Sequence, residues 1–597
     1  MHEELARHRV PRSLLEEFHT GPVSERAIAV LRAGQLSRRK LQLRTLLDLV
    51  EGAAAEEIAR AWQVLSAAER RNPVVTDELL LHPSVGVWLT RTLRKVSGGL
   101  ADSTPFWAEL GYFSSVAAAA AIRTGTPCTL TVPVVHGVTT LPTVGQLRLP
   151  TAFPIGTAEL RAGPRRAVLR SGNPAVSVDF TARSATSGFT PARRIVAGPP
   201  PWTLTVEVDD HGPYREFSAP VPPRLLDSVE QAEWAKLLGE AFDILATRHP
   251  AYAAEISLGV TTLVPLDAGA PVSGASASSA FGAVAACPKA SATELAEVLV
   301  HELQHSKLNA LFDLVSFHDR DIPQRWFYAP WRDDPRPVPG ILHGIFAFCS
   351  AVEFWRYQRR HGSAEEGRLA DFHYALRHRQ VRQAIDVLSP GAGLNDLGRE
   401  FVDSVDRRLA AAGSDEVPGD IAEVVTKLTV EHRASWLLHH VRPDTAAVTA
   451  LADAWLTGTA PGAPTDVPGS IVPCCRSVRP AARVGLLQAG LSGQPGSRAN
   501  PTRQPADDLA YACGDTETAV AGYRARIVTN PQDDQAWLGL GLAMATRPGH
   551  EDNVLVRAPH VALAVRDRIL AQRRTAVPAT EFAEWLGAAV RVPTGIS

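Results

Sequence analysis

The pentapeptide His301-Glu302-Leu303-Gln304-His305 constrains this chain of 597 residues more than any other stretch. Its two histidines are four residues apart, so on an α-helix they lie on one face, one turn above the other. Two imidazoles placed in this way can bind a first-row transition metal. Glu302 lies about 100° round the helix, from where its carboxylate can reach a metal-bound water or orient a ligand. The pattern predicts a metal centre; two ordinary helix histidines are the alternative.

The flanking sequence predicts a well-started helix around this motif. Ser291 followed by Glu294 is the pattern of a capping box, in which a hydroxyl and a carboxylate satisfy the first free amides of a helix. Apolar residues then recur at helical spacing, at Leu295, Val298, Leu299, Leu308, Leu311 and Leu314. The motif is therefore expected on a helix with one apolar face.

Composition indicates a globular protein that can bury a large core, with 45% hydrophobic and 21% charged residues. The net charge of −2 gives no electrostatic reason to expect nucleic acid or an anionic membrane as a partner. The first residues have charges and no long apolar core, which is unlike a signal peptide. The six cysteines do not show the regular spacing of a disulfide framework, so a reducing cytoplasm is expected. The vicinal pair Cys474-Cys475 is interpreted as two loop thiols rather than a redox pair.

Hydrophobic periodicity predicts an α+β fold that is largely helical. The predicted regions are a helical N-terminal part (1–123), a β-rich part with an antiparallel sheet (124–268), a mostly helical catalytic part that contains the motif (269–457), a linker rich in Pro, Gly and Ser (458–505) and a small helical appendage of tetratricopeptide type (506–597). Within the β-rich part, residues 226–248 are predicted as a helix and 256–265 as a strand. Residues 273–280 are either the turn of a sheet edge that binds a peptide beside the metal, or a flexible loop.

Two histidines make an incomplete site, because catalytic metals need at least one more protein ligand. The downstream candidates are His318, His343 and Glu353. His343 and Glu353 lie in an apolar segment of helical pattern. Burial of a polar side chain there is costly unless the side chain binds a partner such as a metal ion. The two residues are ten positions apart and point about 80° apart on a straight helix, so only one of them is expected to reach the metal.

The choice of third ligand separates two enzyme classes. With Glu353 the chain is a zinc peptidase of gluzincin type, in which Glu302 activates the zinc-bound water. With His343 the ligand set is three neutral imidazoles with open positions, which suits zinc-water chemistry and equally iron(II) with a 2-oxo acid and oxygen. The third hypothesis is that the protein is not an enzyme but a peptide-binding scaffold with a degenerate metal site.

Two further segments carry a resemblance to a known family. Together with the motif, Pro-Trp-Arg-Asp-Asp-Pro-Arg-Pro at 330–337 and Leu-His-Gly-Ile-Phe-Ala-Phe at 342–348 resemble the bacterial HExxH-motif family that accompanies ribosomally made, modified peptides, often beside radical-SAM maturases. Members of that family are described as iron- and 2-oxoglutarate-dependent peptide β-hydroxylases. The resemblance covers residues 281–357 well and 1–450 loosely.

The resemblance implies a complete set of site residues. His301, His305 and His343 would be the iron ligands, and Glu302 an acid in or beside the ligand set. The co-substrate 2-oxoglutarate has a distal carboxylate that a guanidinium can bind with two parallel bonds, and Arg332 and Arg336 are the candidates. His318 is a possible supporting residue, and Tyr328 and Trp331 are candidate pocket walls or core aromatics. A precursor peptide is the implied substrate, with a radical-SAM maturase as a possible partner.

Overall fold

The computed structural model describes residues 8–150, 154–172, 175–181, 185–186, 188–267, 274–289, 291–319, 321–362, 364–388, 392–413, 415–473, 481–491, 505–550, 552–572 and 577–591. Cys474 and Cys475, for which the sequence predicts loop thiols, lie outside these residues. The chain divides into two compact units, Met1–Ser316 and Phe317–Ser597. The division falls inside the predicted catalytic part, so the HExxH motif belongs to the first unit and His343 to the second.

The first unit begins with helices, as the sequence predicts. They are α1 (Arg12–Thr20), α2 (Glu25–Leu49), α3 (Ala53–Arg71), α4 (Pro73–Leu80), α5 (Pro83–Val96) and α6 (Phe106–Thr124). The alanines of α6 from Ala117 to Ala121 are fully buried. Their small side chains let α6 pack closely against other elements, and α6 shares one apolar core with α2–α5 and the strands that follow.

A seven-stranded antiparallel sheet follows and confirms the predicted β-rich region. Its strands lie in the order β6-β5-β4-β1-β2-β3-β7. Their bounds are β1 (Cys128–Val135), β2 (Val138–Leu141), β3 (Gly145–Arg148), β4 (Ile155–Ala162), β5 (Arg166–Arg170), β6 (Ala175–Asp179) and β7 (Phe189–Pro191). A turn at His136-Gly137 joins β1 to β2 with φ values of 50° and 73°, a left-handed conformation that glycine adopts without steric cost.

A second, mixed sheet leads to the motif helix. Its strands lie in the order β11-β12-β10-β9-β8, and β9, β10 and β12 run parallel while β8 and β11 pair antiparallel at the two edges. The elements are β8 (Arg193–Ala197), β9 (Leu204–Val208), α7 (Ser228–Arg248), α8 (Pro250–Gly259), β10 (Thr262–Pro265), β11 (Gly274–Ala275), β12 (Ala283–Ala286) and α9 (Ala292–Phe312).

The strand predicted for residues 256–265 is wrong in its first half. Ile256 to Gly259 form the last turn of α8, and only Thr262 to Pro265 pair as β10. Pro250 stands at the first position of α8, where its fixed φ favours a helix and its missing N–H costs nothing. Ile256 is fully buried by tertiary packing, which overrides the β-preference of a β-branched residue.

The second unit is almost entirely helical. Its helices are α10 (Val338–His361), α11 (Ala364–Val387), α12 (Asp396–Ala411), α13 (Gly419–His440), α14 (Thr445–Leu456), α15 (Ala482–Leu491), α16 (Ala506–Ala512), α17 (Thr516–Thr529), α18 (Asp534–Ala545), α19 (Val554–Arg557), α20 (Pro559–Gln572) and α21 (Ala579–Ala589). Short strands complete it: β13 (Val441–Pro443), β14 (Thr465–Asp466), β15 (Gly469–Ile471) and β16 (Val590–Arg591).

The C-terminal helices share a core with the middle of the second unit. Trp537 of α18 and Phe582 of α21 belong to the same buried cluster as Ile421 and Val425 of α13. The predicted appendage therefore packs onto the helices before it. Helix α10 is long and apolar enough to cross a membrane by length and composition, but 78% of its most apolar window is buried inside the protein, which is typical of a core helix.

Candidate metal site

Helix α9 begins as predicted and places both motif histidines on one face. The Ser291 hydroxyl accepts a hydrogen bond of 3.2 Å from the Glu294 amide and lies 3.2 Å from the Glu294 carboxylate. One turn apart, the His301 and His305 rings meet edge to face with their centroids 4.7 Å apart. Their Nε2 atoms are 3.1 Å apart. The pair of nitrogens that the spacing predicts is therefore formed within the first unit.

Glu302 is held by a residue that the sequence did not single out. The Ser276 hydroxyl donates a hydrogen bond of 2.7 Å to Glu302 Oε2. Burial raises the pKa of Glu302 to about 7, and the hydrogen bond from Ser276 opposes that rise because it favours the ionised carboxylate. Ser276 follows edge strand β11, inside the small-residue stretch, and only the fold shows which of those residues points at Glu302.

Of the two alternatives for the small-residue stretch before the motif helix, the structure shows a sheet edge. Gly274 and Ala275 form β11, the edge strand, and pair antiparallel with Ala286 and Ala285. A Cβ on Gly274 would lie 2.8 Å from Val298 Cγ1 and 3.0 Å from Glu302 Oε1, so the strand lies directly against α9. The absence of a side chain at Gly274 permits this close approach.

The second unit contains the candidate third ligands, both on α10. His343 is half-buried near the start of the helix. Glu353 accepts two hydrogen bonds from Arg408. Arg408 Nε donates to Oε1 at 2.9 Å, and Nη2 donates to Oε2 at 2.9 Å. Arg408 is 8% exposed and also donates to Ser350 Oγ at 3.2 Å. Both oxygens of Glu353 are therefore engaged by a buried guanidinium.

The loop before α10 is ordered by pairing and stacking. Phe327 and Arg336 exchange backbone hydrogen bonds of 2.8 Å and 2.9 Å across it. The Trp331 ring packs over the backbone of Gly344, where an added Cβ would lie 1.8 Å from Cζ2, and its centroid is 5.1 Å from that of Phe348. Trp331 therefore covers the turn of α10 that contains His343.

Arg332 and Arg336 share one carboxylate in this loop. Arg332 Nε donates to Asp334 Oδ1 at 2.6 Å and Arg336 Nη1 to Oδ2 at 3.1 Å. Burial opposes ionisation of Asp334, but the two hydrogen bonds outweigh it and the pKa of Asp334 is lowered. The two side chains are 51% and 36% exposed. A guanidinium has five N–H donors, so each arginine keeps donors for a second anion.

The remaining candidates have structural contacts within the second unit. Tyr328 is 4% exposed, its hydroxyl lies 2.8 Å from His432 Nδ1, and its ring meets Trp436 edge to face. These are the contacts of a core aromatic. His318 forms an isolated bridge with Leu394 and lines a cavity of about 320 Å³ at the start of the unit.

No group of three or more His, Cys, Asp or Glu side chains that could hold a metal ion is found among the residues that the structure describes. The structure brings together His301 and His305 on one face of α9, with the neighbouring Glu302 bonded to Ser276, and it places His343, Arg332 and Arg336 along one loop and helix of the second unit. Comparison of the sequence with protein-family models gives no match, and comparison with curated proteins gives none.

Proposed function

We propose that this protein is a cytoplasmic iron(II)- and 2-oxoglutarate-dependent hydroxylase that acts on β-carbons of a ribosomally made precursor peptide. The observation that carries the proposal is the convergence of the His301 and His305 Nε2 atoms at 3.1 Å on a buried helix that lies against a sheet edge. The family resemblance of the motif and of the loop at 330–337 supplies the reaction class.

The spacing of the two nitrogens fits a shared ion. Two ligand nitrogens each about 2.1 Å from one metal lie about 3.0 Å apart at a right angle and about 3.4 Å apart at a tetrahedral angle. The observed 3.1 Å lies between these values. A neutral imidazole that donates to the other ring gives a similar distance, so the metal-free protein can hold the same geometry by a hydrogen bond.

The chain's own residues then have separate roles in the proposed reaction. His301, His305 and His343 would hold the ion, and Glu302, which accepts a hydrogen bond from Ser276, would be an acid in or beside the ligand set. Arg332 or Arg336 would bind the distal carboxylate of 2-oxoglutarate, with Asp334 setting the direction of both guanidinium groups. When bound, iron with 2-oxoglutarate and oxygen supplies the oxidation that replaces a C–H bond by C–OH.

Edge strand β11 is the proposed docking line for the peptide. One side of this strand pairs with β12, and an extended peptide added to the other side would run beside α9. Backbone hydrogen bonds along such an edge would contribute affinity that depends little on the amino-acid sequence of the peptide. Selectivity would then come from the side chains around the metal.

The same edge strand keeps a zinc peptidase as the second candidate, because peptidases also bind substrates by strand addition. The bidentate pair between Arg408 and Glu353 speaks against a gluzincin ligand set. The two functions differ in product. The hydroxylase adds one oxygen atom to the peptide and forms succinate in the same amount, whereas the peptidase cleaves the backbone without oxygen.

The test is mass spectrometry of a candidate precursor peptide after incubation with the full-length protein, ferrous iron and 2-oxoglutarate, with and without oxygen. We expect an oxygen-dependent gain of one oxygen atom together with succinate. Backbone cleavage that persists without oxygen would establish the peptidase instead. Absence of bound metal in protein purified without chelators, together with an unchanged peptide, would leave only a binding scaffold.

Substitution of the two candidate ligands tests which one completes the site. We expect His343→Ala to weaken iron binding by at least about 100-fold, more than the roughly 10–100-fold typical of residues that only support a ligand. Glu353→Gln keeps the helix and should leave the affinity for iron within about threefold. Iron titration and metal analysis of both variants make the comparison, with the exposed His550→Ala as the control for loss of a histidine. The reverse ranking would overturn the three-histidine assignment.

A further inference from the structure

A cavity in the first unit is lined by residues other than those of the HExxH motif. It has a volume of about 270 Å³ and is formed where β10 and β12 begin, around Thr262 and Gly282. Helix α9 starts beyond the opposite ends of these strands. The cavity is close to the lower limit of small-molecule sites, which suits a compact ligand.

One wall of this cavity is basic. Arg32 of α2, Arg123 of α6 and Arg194 of β8 line it. Arg123 Nη2 pairs with Glu78 at 2.9 Å, and Arg32 Nη1 donates to the Leu258 carbonyl at 3.3 Å. Among the described residues, Arg32 and Arg194 have no carboxylate within ion-pair distance. The wall therefore presents two guanidinium groups without a carboxylate at ion-pair distance in the part of the chain that the structure describes, and Arg194 is the cross-strand partner of Glu207.

The floor of the cavity is buried and polar. His82, Glu207 and Thr262 line it and are each more than nine-tenths buried, with exposures of 7%, 5% and 1%. Among the described residues, Thr262 Oγ1 has no hydrogen-bond partner, and Glu207 Oε1 and His82 Nε2 have only their contact with each other. Glu207 and Thr262 are paired across the parallel strands β9 and β10, so their side chains stand next to each other on one face of the sheet.

Glu207 is an ionised carboxylate in this setting. Burial opposes its ionisation, but the hydrogen bond and charge of His82, with the charges of His211 and Arg194, lower its pKa. The contact with His82 is long, at 3.4 Å from Nε2 to Oε1. A buried carboxylate oxygen with so distant a partner is costly unless a donor from a ligand or a water reaches it.

We infer that this cavity binds a small zwitterion of the α-amino acid class. A carboxylate would be held by the guanidinium groups of Arg32 and Arg194, which form paired bonds with such groups. An ammonium group has three N–H donors and would bind Glu207 Oε1 and Thr262 Oγ1 on the floor. Neither a simple anion nor a simple amine satisfies both the basic wall and the acidic floor. The inference is independent of the proposed hydroxylase.

Calorimetric titration of the full-length protein with L-glutamate as the probe tests this inference. Glutarate, which lacks the ammonium group, and n-butylamine, which lacks the carboxylates, are the matched comparison ligands. We expect L-glutamate to bind at least about tenfold more tightly than either, because each comparison ligand loses charge-assisted hydrogen bonds. No binding of L-glutamate, or equal binding of glutarate, would overturn the inference, since the cavity would then hold only water or a simple anion.

Variants locate the binding in the cavity. Arg194→Gln and Glu207→Gln should each weaken binding of L-glutamate by at least about tenfold. Arg194 is exposed, so its variant is expected to fold normally even if the buried Glu207→Gln does not. Arg161→Gln, on β4 with a side chain 69% exposed, is the control and should bind as the natural protein does. Unchanged affinity in Arg194→Gln would place the ligand elsewhere and refute the site.

Discussion

At the scale of single residues, the motif helix is fixed by a buried ion pair two residues beyond His305. Lys307 forms a short ion pair with Glu255 of α8, and both side chains are fully buried. Glu255 also accepts from the Val23 amide at 2.8 Å and from the Gln304 side chain at 3.3 Å. Three segments therefore meet at one carboxylate, which holds α9 in register with the N-terminal helices.

Replacement of this lysine is expected to destabilise the first unit strongly. Lys307→Met leaves Glu255 as a buried charge without its cation, which costs about 3–5 kcal/mol. Chemical denaturation followed by hydrogen exchange in α7–α9 measures the loss. Lys236→Met is the control, because Lys236 forms an ion pair with Glu240 on the surface and its side chain is 76% exposed. This substitution should change the free energy of unfolding by less than about 1 kcal/mol.

The double variant Glu255→Gln/Lys307→Met tests the cause. With both charges gone, no buried charge is left unpaired, so much of the stability should return. Lys307 Nζ also lies 5.9 Å from the centroid of the Phe18 ring. If the double variant is as unstable as Lys307→Met alone, the lysine stabilises the protein through this packing and not through its ion pair.

A buried histidine is expected to make the second unit sensitive to acid. His560 of α20 is 6% exposed, and burial lowers its pKa from 6.5 to about 4. Below pH 6.5 the unfolded chain takes up a proton that the folded protein does not, so stability is fully present above that pH and falls as the pH is lowered to about 4. The loss from this residue is roughly 3 kcal/mol.

Thermal or chemical unfolding of the His560→Gln variant between pH 4 and pH 7 measures this contribution. We expect the variant to lose less stability over that range than the natural protein, by up to roughly 3 kcal/mol. His550 is exposed, so the His550→Gln variant serves as the comparison. Its free energy of unfolding should depend on pH in the same way as that of the natural protein. Parallel slopes for the natural protein and His560→Gln would show that His560 is protonated alike in the folded and unfolded states.

At the scale of elements, the packing of Trp331 on α10 depends on one glycine. A Cβ at Gly344 would lie 1.8 Å from the indole ring, so the ring or the helix must move. Gly344→Ala is therefore expected to destabilise the second unit by about 1–3 kcal/mol, although alanine favours a helix more than glycine does. Denaturant unfolding measures this, and iron affinity should fall with it if Trp331 positions His343.

Gly367→Ala is the matched control for this substitution. Gly367 lies inside α11, and a Cβ there would meet nothing within 4 Å. The same change should then stabilise the helix by about 0.5–1 kcal/mol, because alanine loses less conformational freedom on folding. Effects of equal sign at the two positions would mean that helix propensity, and not contact with Trp331, decides the result.

At the scale of the whole molecule, the segment predicted as a linker contains an anchor of the second unit. Arg483 of α15 is fully buried and donates to Glu431 of α13 from Nε at 2.6 Å and from Nη2 at 2.7 Å. It also lies 3.4 Å from Asp508 of α16. Residues 482–491 are therefore built into the core between α13 and the C-terminal helices.

The two units are expected to respond separately to loss of their buried cations. Arg483→Met leaves Glu431 unpaired and should destabilise the second unit by about 3–5 kcal/mol. Hydrogen exchange should rise in α13 and α16–α21 while the amides of α7–α9 keep their protection, the opposite pattern to Lys307→Met. A flexible linker would tolerate the change with no loss. Arg442→Met, whose guanidinium makes an exposed contact, is the control.

The sequence by itself determined the parts that depend on local spacing. The four-residue interval of His301 and His305 dictates that both rings share a helix face, and Ser291 with Glu294 marks where that helix begins. The helical start follows from similarly local periodicity, whereas the sequence left residues 273–280 open between a sheet edge and a flexible loop. The largely helical α+β fold is confirmed on that basis.

Tertiary structure alone decided which distant side chains meet. The pairing of Glu353 with Arg408, of Glu302 with Ser276 and of Lys307 with Glu255 joins positions 26 to 55 residues apart, and no periodicity encodes such contacts. Only packing turned residues 256–259 into helix and buried Arg483. Local sequence sets the direction of a side chain relative to its own backbone, whereas its partner depends on how whole elements pack, which is a property of the complete fold.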